Sequence, residues 1–283
     1  MNGVHRITLL GSGSSGGVPR ANGDWGACDP SNPKNRRRRC SVLVERAETL
    51  EAMKEGVAVT RLVVDTSPDF REQMISARVP RLDAVLISHD HADQTHGLDD
   101  LRAFALLQKQ RIPVWTDGPT AETLVQRFGY AFTARPNSPY PAILDHRRLP
   151  NHGEPVHVEG PGGLIEAIPF DQDHGWIRSV GYRFADLAYS SDINALPDES
   201  RNILKDLRCW IVDALRDESH PTHFSVSDAL AAIERVGVRE AVLTNMHITL
   251  DYDALSRRLP AHVRPGFDGL SITQIHDTLE YSL

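Results

Sequence analysis

The stretch Ser88-His89-Asp90-His91-Ala92-Asp93-Gln94-Thr95-His96-Gly97 follows directly on the apolar run 84–87. A short apolar run bounded by polar residues reads as a buried strand, and functional side chains gather where such strands end. Two histidines at i and i+2 with an aspartate at i+4 converge on one cation from a tight loop, because imidazole nitrogen and carboxylate oxygen both suit zinc, manganese or iron. Turn chemistry alone does not account for so many ligand types in so few positions.

The same strand-then-loop grammar runs along the rest of the chain. Apolar runs predict strands at 7–10, 41–45, 61–65, 84–88, 113–116, 165–169, 180–184, 187–190, 209–213 and 241–244. Helical spacing predicts helices at 68–77, 98–108, 120–128, 225–236 and 252–259. Ser225 with Asp228 three residues on marks a helix start, after which Ala229, Leu230, Ile233 and Val236 share one face. Strands alternating with helices are the pattern of an α/β protein, and this alternation fits a doubly wound sheet as well as other layered arrangements. Three prolines in 135–141 predict a loop, and the Gly/Pro cluster at 160–163 predicts a turn between hairpin strands. Neither reads as a linker, and no repeat or low-complexity tract interrupts the chain, so residues 1–283 are expected to form a single domain.

Composition narrows the partners. The 31 Lys and Arg against 38 Asp and Glu leave a net charge of −7, and 40% of residues are hydrophobic, enough to bury a core and to exclude disorder. This acidity argues against a duplex-DNA binder but leaves a small phosphate-containing substrate open. The one dense positive run, residues 34–39, is expected to be a solvated loop ahead of a strand rather than a phosphate site. Cys28, Cys40 and Cys209 form no C-x-x-C pair, which excludes a cysteine-only zinc ribbon and a disulfide framework. A reducing cytoplasm is therefore expected. Residues 1–10 fall short of a signal-peptide core, and stretches such as 103–107 are too short to span a bilayer, so no membrane association is expected.

The metal loop resembles the H-x-H-x-D-H-x-x-G signature of the metallo-β-lactamase fold, in its phosphodiesterase branch. That branch includes the phosphoribosyl cyclic phosphodiesterases and, more distantly, the transfer-RNA 3′ processing nucleases. His89, His91, Asp93 and Gly97 match, Gln94 stands where the family usually has histidine, and His96 falls on a variable position. The resemblance continues in the glycine-rich turn from Leu10 to Pro19 and in the strand-to-helix junction from Val64 to Arg71, where Asp65 is placed to orient a ligand histidine. It continues in Phe170-Asp171-Gln172-Asp173-His174-Gly175, in Ser190-Ser191-Asp192, and in Leu243-Thr244-Asn245-Met246-His247. That last segment is similar to L-T-H-x-x-H, with Asn245 in place of the first histidine and His247 one residue early.

The resemblance implies a four-layer αββα sandwich, with two mixed sheets flanked by helices. It implies a hydrolase in which His89, His91 and His174 hold a first divalent metal, Asp192 bridges, and Asp93 with His247 holds a second, the ions being Zn2+ or Mn2+. An amide is a poorer zinc ligand than imidazole, so Gln94 weakens that second site and shifts it toward manganese. His223, ahead of the helix at Ser225, matches a histidine that relatives keep facing the substrate, and is expected as the general acid alongside catalytic Asp93. The expected substrate is a small phosphodiester, such as a nucleotide or cyclic phosphoribose, and a homodimer is compatible with it. The alternatives are a thioester or lactone hydrolase on the same metals, or a nucleotide- or metal-binding protein with a decayed second site.

Overall fold

Strict alternation of buried side chains along the central strands decides how the layers stack. In β1 (Val4–Gly11), Ile7 and Leu9 point into one core; in β2 (Ser41–Ala47), Val42 and Val44 join them while Leu43 points the other way. The same alternation splits Leu62 and Val64 from Val63 in β3 (Thr60–Val64), and Ala84 and Leu86 from Val85 in β4 (Ala84–Leu86). A strand buried on both faces must lie between two other layers, which is why these segments read as continuous apolar runs.

The computed structural model describes residues 3–283; Met1 and Asn2, at the head of the stretch expected to lack a signal peptide, lie outside the described residues. The remaining strands are β5 (Ile112–Thr116), β6 (Leu144–Arg148), β7 (Val156–Val158), β8 (Ile165–His174), β9 (Ile177–Phe184), β10 (Leu187–Ser190), β11 (Cys209–Asp213), β12 (Glu240–Thr244), β13 (Val263–Pro265), β14 (Ser271–Ile275) and β15 (Thr278–Ser282). They form an eight-stranded sheet in the order β15-β14-β1-β2-β3-β4-β5-β6 and a seven-stranded sheet in the order β13-β12-β11-β10-β9-β8-β7. Both are mixed. The first is antiparallel from β15 to β3 and parallel from β3 to β6; the second is antiparallel from β7 to β10 and parallel from β10 to β13.

Between the sheets, Ile7, Val44, Leu62 and Val64 pack with Tyr182, Phe184, Tyr189 and Ile211. The helices are α1 (Leu50–Glu55), α2 (Phe70–Ser76), α3 (Ala92–Thr95), α4 (Arg102–Gln108), α5 (Gly118–Phe132), α6 (Asp198–Ile203), α7 (Val226–Val236) and α8 (Tyr252–Ser256). Side chains of α2, α4 and α5 cover the outer face of the first sheet, and those of α7 and α8 cover the second around Trp210. The result is the four-layer αββα sandwich expected from the metal loop. Each fully buried Val, Leu or Ile contributes about 1.5–3 kcal/mol. A surface ion pair contributes about 1 kcal/mol at most, so the three cores hold the fold.

Every expected strand is present; of the five not anticipated, β6, β14 and β15 are largely polar, and β7 and β13 are only three residues long. Leu144 alone in β6 is buried, β15 is an edge strand with alternate exposure, and β14 carries Ser271, Thr273 and Gln274 among its buried positions. Helix α7 starts at Ser225 with a full capping box to Asp228. The segment expected as one helix over 98–108 begins instead as a 3-10 turn, Leu98–Leu101, before α4.

The positive run is not a solvated loop. Arg37 is buried and donates from Nη2 to the Leu250 carbonyl at 2.7 Å; Arg38 pairs with Asp268 at 3.0 Å and Arg39 with Asp69 at 2.7 Å. Both Nη groups of Arg37 find acceptors while its Nε stays buried without one, and together with the Arg38–Asp268 pair they tie the amino-terminal loop to the carboxy-terminal segments. The glycine-rich turn serves the same packing: a Cβ on Gly11 would lie 2.0 Å from the Arg39 carbonyl oxygen. Among the described residues no helix is long and apolar enough to cross a membrane.

Candidate metal centre and active site

Strand ends from both sheets meet at one edge of the sandwich. His89 and His91 follow β4, His174 is the last residue of β8, and Asp192 follows β10. Asp65, Asp192 and Asn245 each turn the chain just past a strand with positive φ, at 67°, 48° and 59°. Asn and Asp tolerate this left-handed conformation better than other residues with a Cβ, so the turn and the polar side chain come together. Gly97 lets the metal loop close against the β3–α2 junction, because a Cβ there would sit 2.1 Å from the Ser67 carbonyl oxygen.

His89, His91, His174 and Asp192 bring one donor atom each to within 4.8 Å of one another. Asp192 Oδ2 lies 3.4 Å from His89 Nε2 and 3.6 Å from His174 Nε2. The opposite ring nitrogens are anchored: the Ser88 hydroxyl donates to Asp65 Oδ2 at 2.8 Å and so accepts from His89 Nδ1 at 3.0 Å, while His174 Nδ1 donates to the Thr222 carbonyl at 2.6 Å. Protonation at Nδ1 leaves each Nε2 lone pair directed at the common centre, as metal-binding imidazoles require. His89 Nε2 is buried and makes no hydrogen bond. An orphaned buried nitrogen beside a carboxylate and two more imidazoles fits a divalent cation of the zinc, manganese or iron type.

Electrostatics agree with the geometry. Burial lowers His174 to about 4 and, with the neighbouring His89, lowers His91, so both rings are neutral ligands at ordinary pH. Burial also pulls His89 down, but Asp192 outweighs it and raises it; the proton favoured there stands where a cation would. Burial opposes the charge on Asp192, yet His89 holds it well below the usual carboxylate range.

His223 stands beside this group with its ring centre 4.7 Å from that of His174. Its Nδ1 donates to Asp213 Oδ2 at 2.7 Å. Burial disfavours the charged ring, but Asp213 and Asp192 outweigh burial and raise His223 to about 9. His91, His174, Asp192 and His223 open into a cleft of about 650 Å³, rimmed by Ser15, Arg20, Trp176, Arg216 and His220.

The second half of the expected site is arranged differently. Asp93 lines the cleft, pushed up to about 6 by burial and by Asp192. Gln94 is buried, with Nε2 3.3 Å from Asp93 Oδ2 and 3.4 Å from Cys40 Sγ. The structure does not bring His247 to the ligand group. Its Nε2 accepts from Arg20 Nη2 at 2.6 Å, while Asn245, two residues earlier and just past the end of β12, takes the place beside Asp192 and donates to Oδ1 at 2.9 Å. His96 is exposed.

Compared with known families, the chain matches the Beta-lactamase superfamily domain over residues 60–248. The chain belongs to the beta-lactamase superfamily. Within it, this superfamily member is similar to a diphosphatase from the PhnP family, with 30% identity and a TM-score of 0.82 over 96% of this chain and 97% of that one. The short form of human tRNase Z shares the metallo-β-lactamase fold, with a TM-score of 0.62 at 15% identity over 94% of this chain and 98% of that one. An octanoyltransferase of Porphyromonas gingivalis (strain ATCC BAA-308 / W83) is 30% identical over 94% of this chain, and the chain spans 51% of its length. The superfamily member thus has the metallo-β-lactamase fold, whose members bind divalent metals, and it carries a His/Asp cluster able to do so.

Three contributors to this superfamily site escaped the sequence reading. Ser88 and the Thr222 carbonyl orient ligand histidines, and neither residue type announces that role. Asp213 left one signal, a polar residue closing an otherwise apolar strand.

Proposed function

We propose that the protein is a metal-dependent phosphodiesterase acting on a small phosphodiester, such as a cyclic phosphate of ribose or a nucleotide. The observation that carries this reading is the His223–Asp213 pair at 2.7 Å, which sets a proton donor directly beside His174 of the His89, His91, His174 and Asp192 group. A divalent ion held by those four residues would supply Lewis-acid polarisation of a phosphoryl oxygen and an acidified water. His223 then delivers its proton to the departing alkoxide oxygen, and Asp213 fixes the ring so that Nε2 faces the reaction. Arg20 and Arg216 on the rim offset the remaining charge of an anionic substrate.

A cleft of about 650 Å³ suits a small molecule. The net charge of −7, with Arg37, Arg38 and Arg39 tied into the fold, leaves little basic surface for a nucleic-acid duplex. The buried free cysteines accord with a reducing cytoplasm.

The test is hydrolysis of bis(p-nitrophenyl) phosphate and of ribose cyclic phosphates by metal-stripped protein, with and without added zinc or manganese. Turnover restored by metal, abolished in His91→Ala, and reduced about 10²–10⁴-fold in His223→Ala with metal content unchanged is the expected result. Turnover of S-acyl glutathione with none of any phosphodiester would replace this reading with a thioesterase.

A further inference from the structure

Two-metal hydrolases hold their ions about 3.5–4 Å apart, which takes a carboxylate shared between them and separate donors on each side. Here the shared carboxylate is already divided. Asp192 Oδ2 faces His89 and His174, but Oδ1 accepts the Asn245 amide at 2.9 Å. An ionised carboxylate only accepts, so the amide presents N–H rather than oxygen, and Oδ1 is engaged from within the protein.

The other flank is closed in the same way. Gln94 is fully buried, donates to Asp93 Oδ2 and to Cys40 Sγ, and accepts from Cys40 through Oε1 at 3.7 Å, so both ends of its amide are engaged. The His247 Nε2 lone pair is occupied by the Arg20 guanidinium, whose charge also repels a cation. Asp93 and Asp192 alone would remain, short of the four ligands that divalent zinc takes. The two amides act as a pair: each satisfies one of the two carboxylates that a second cation would otherwise neutralise.

We propose that this protein works with one metal ion per chain, bound by His89, His91, His174 and Asp192, with the neighbouring position closed by the side-chain amides of Asn245 and Gln94. The inference rests on the metal-hydrolase reading above and assigns Asp93 to the cleft wall as a hydrogen-bonded carboxylate rather than a ligand.

Apoprotein titrated with Zn2+ and desalted is expected to retain about one equivalent by elemental analysis, with no second binding event up to a hundredfold excess over the first dissociation constant. The Mn2+ form is expected to give the spectrum of an isolated ion. The Gln94→His/Asn245→His double variant replaces both donors by lone pairs, and the left-handed backbone at Asn245 suits histidine better than most residues; it is expected to retain about two equivalents. Two tightly held ions or an exchange-coupled Mn2+ pair in the unaltered protein would overturn the inference while leaving the hydrolase reading intact. Retention of no metal would overturn both. The titration of the unaltered protein decides the matter even where the double variant does not fold.

Discussion

Removal of one oxygen, in Ser88→Ala, separates the scaffold of the metal centre from its ligands. Ser88 Oγ donates to Asp65 Oδ2 at 2.8 Å and accepts from His89 Nδ1 at 3.0 Å, and Asp65 is fully buried. The Ser88 backbone N–H continues to serve Asp65 Oδ1 at 2.8 Å, so the carboxylate loses one of its two donors. Burial pushes Asp65 up to about 7, so its bond to Ser88 lies between a neutral one at about 1 kcal/mol and a charge-assisted one at about 1.5–3 kcal/mol. With the neutral bond to His89, the metal-free protein should lose roughly 2–4 kcal/mol. At about 2–4 °C per kcal/mol for a large domain, the midpoint should fall by roughly 5–15 °C. The His89 ring is then free to rotate, and metal affinity should drop about 10–100-fold, the usual cost of losing a group that orients a ligand. Urea denaturation of the metal-free proteins measures the first effect, and competition against a chromophoric zinc chelator measures the second. A folded variant whose zinc affinity stays within twofold of the parent would refute the Asp65–Ser88–His89 chain as an orienting device.

Gly97→Ala should cost about 1–3 kcal/mol and weaken metal binding, because the added Cβ would meet the Ser67 carbonyl oxygen at 2.1 Å and Phe70 Cβ at 2.5 Å; an unchanged urea midpoint would show that the loop gives way freely. His5, only 7% exposed in β1, is lowered by burial and by Arg46 to about 4 from 6.5. The unfolded chain therefore takes up the proton first, and stability is full above about pH 6.5 and falls as pH drops toward 4, by about 3 kcal/mol from this residue. His5→Gln should lose that much less than the parent between pH 7 and 4, and parallel stability curves would sink the assignment.

The two central sheets could be read from sequence because their strands are buried on both faces, leaving Leu62, Val63 and Val64 or Ile211 and Val212 as unbroken apolar runs. Strands β6, β14 and β15 left no such trace, since their pairing depends on neighbours already in place and their side chains are largely polar. The run at residues 34–39 misled for the opposite reason. Composition marks it as solvated, yet Arg37 finds the Leu250 carbonyl 213 residues away, a partner that no local pattern reveals.

The candidate site divides along the same line. His89 and His91 sit in one loop and are visible as a spacing; His174 and Asp192 could be placed because each ends a readable strand and falls in the order of a known family. What the second half of the site does is decided by contacts between segments far apart in the chain. Asn245 reaches Asp192 across 53 residues and Gln94 reaches Cys40 across 54. In sequence, each amide counts separately as a ligand lost, and a weakened second site is the natural conclusion. In space, each amide hydrogen-bonds a carboxylate that would otherwise need a cation. The Gln94 and Asn245 amides supply Asp93 and Asp192 with donors on the side that a second cation would otherwise serve. With both carboxylates hydrogen-bonded from within the protein, the proposed centre calls for one metal ion.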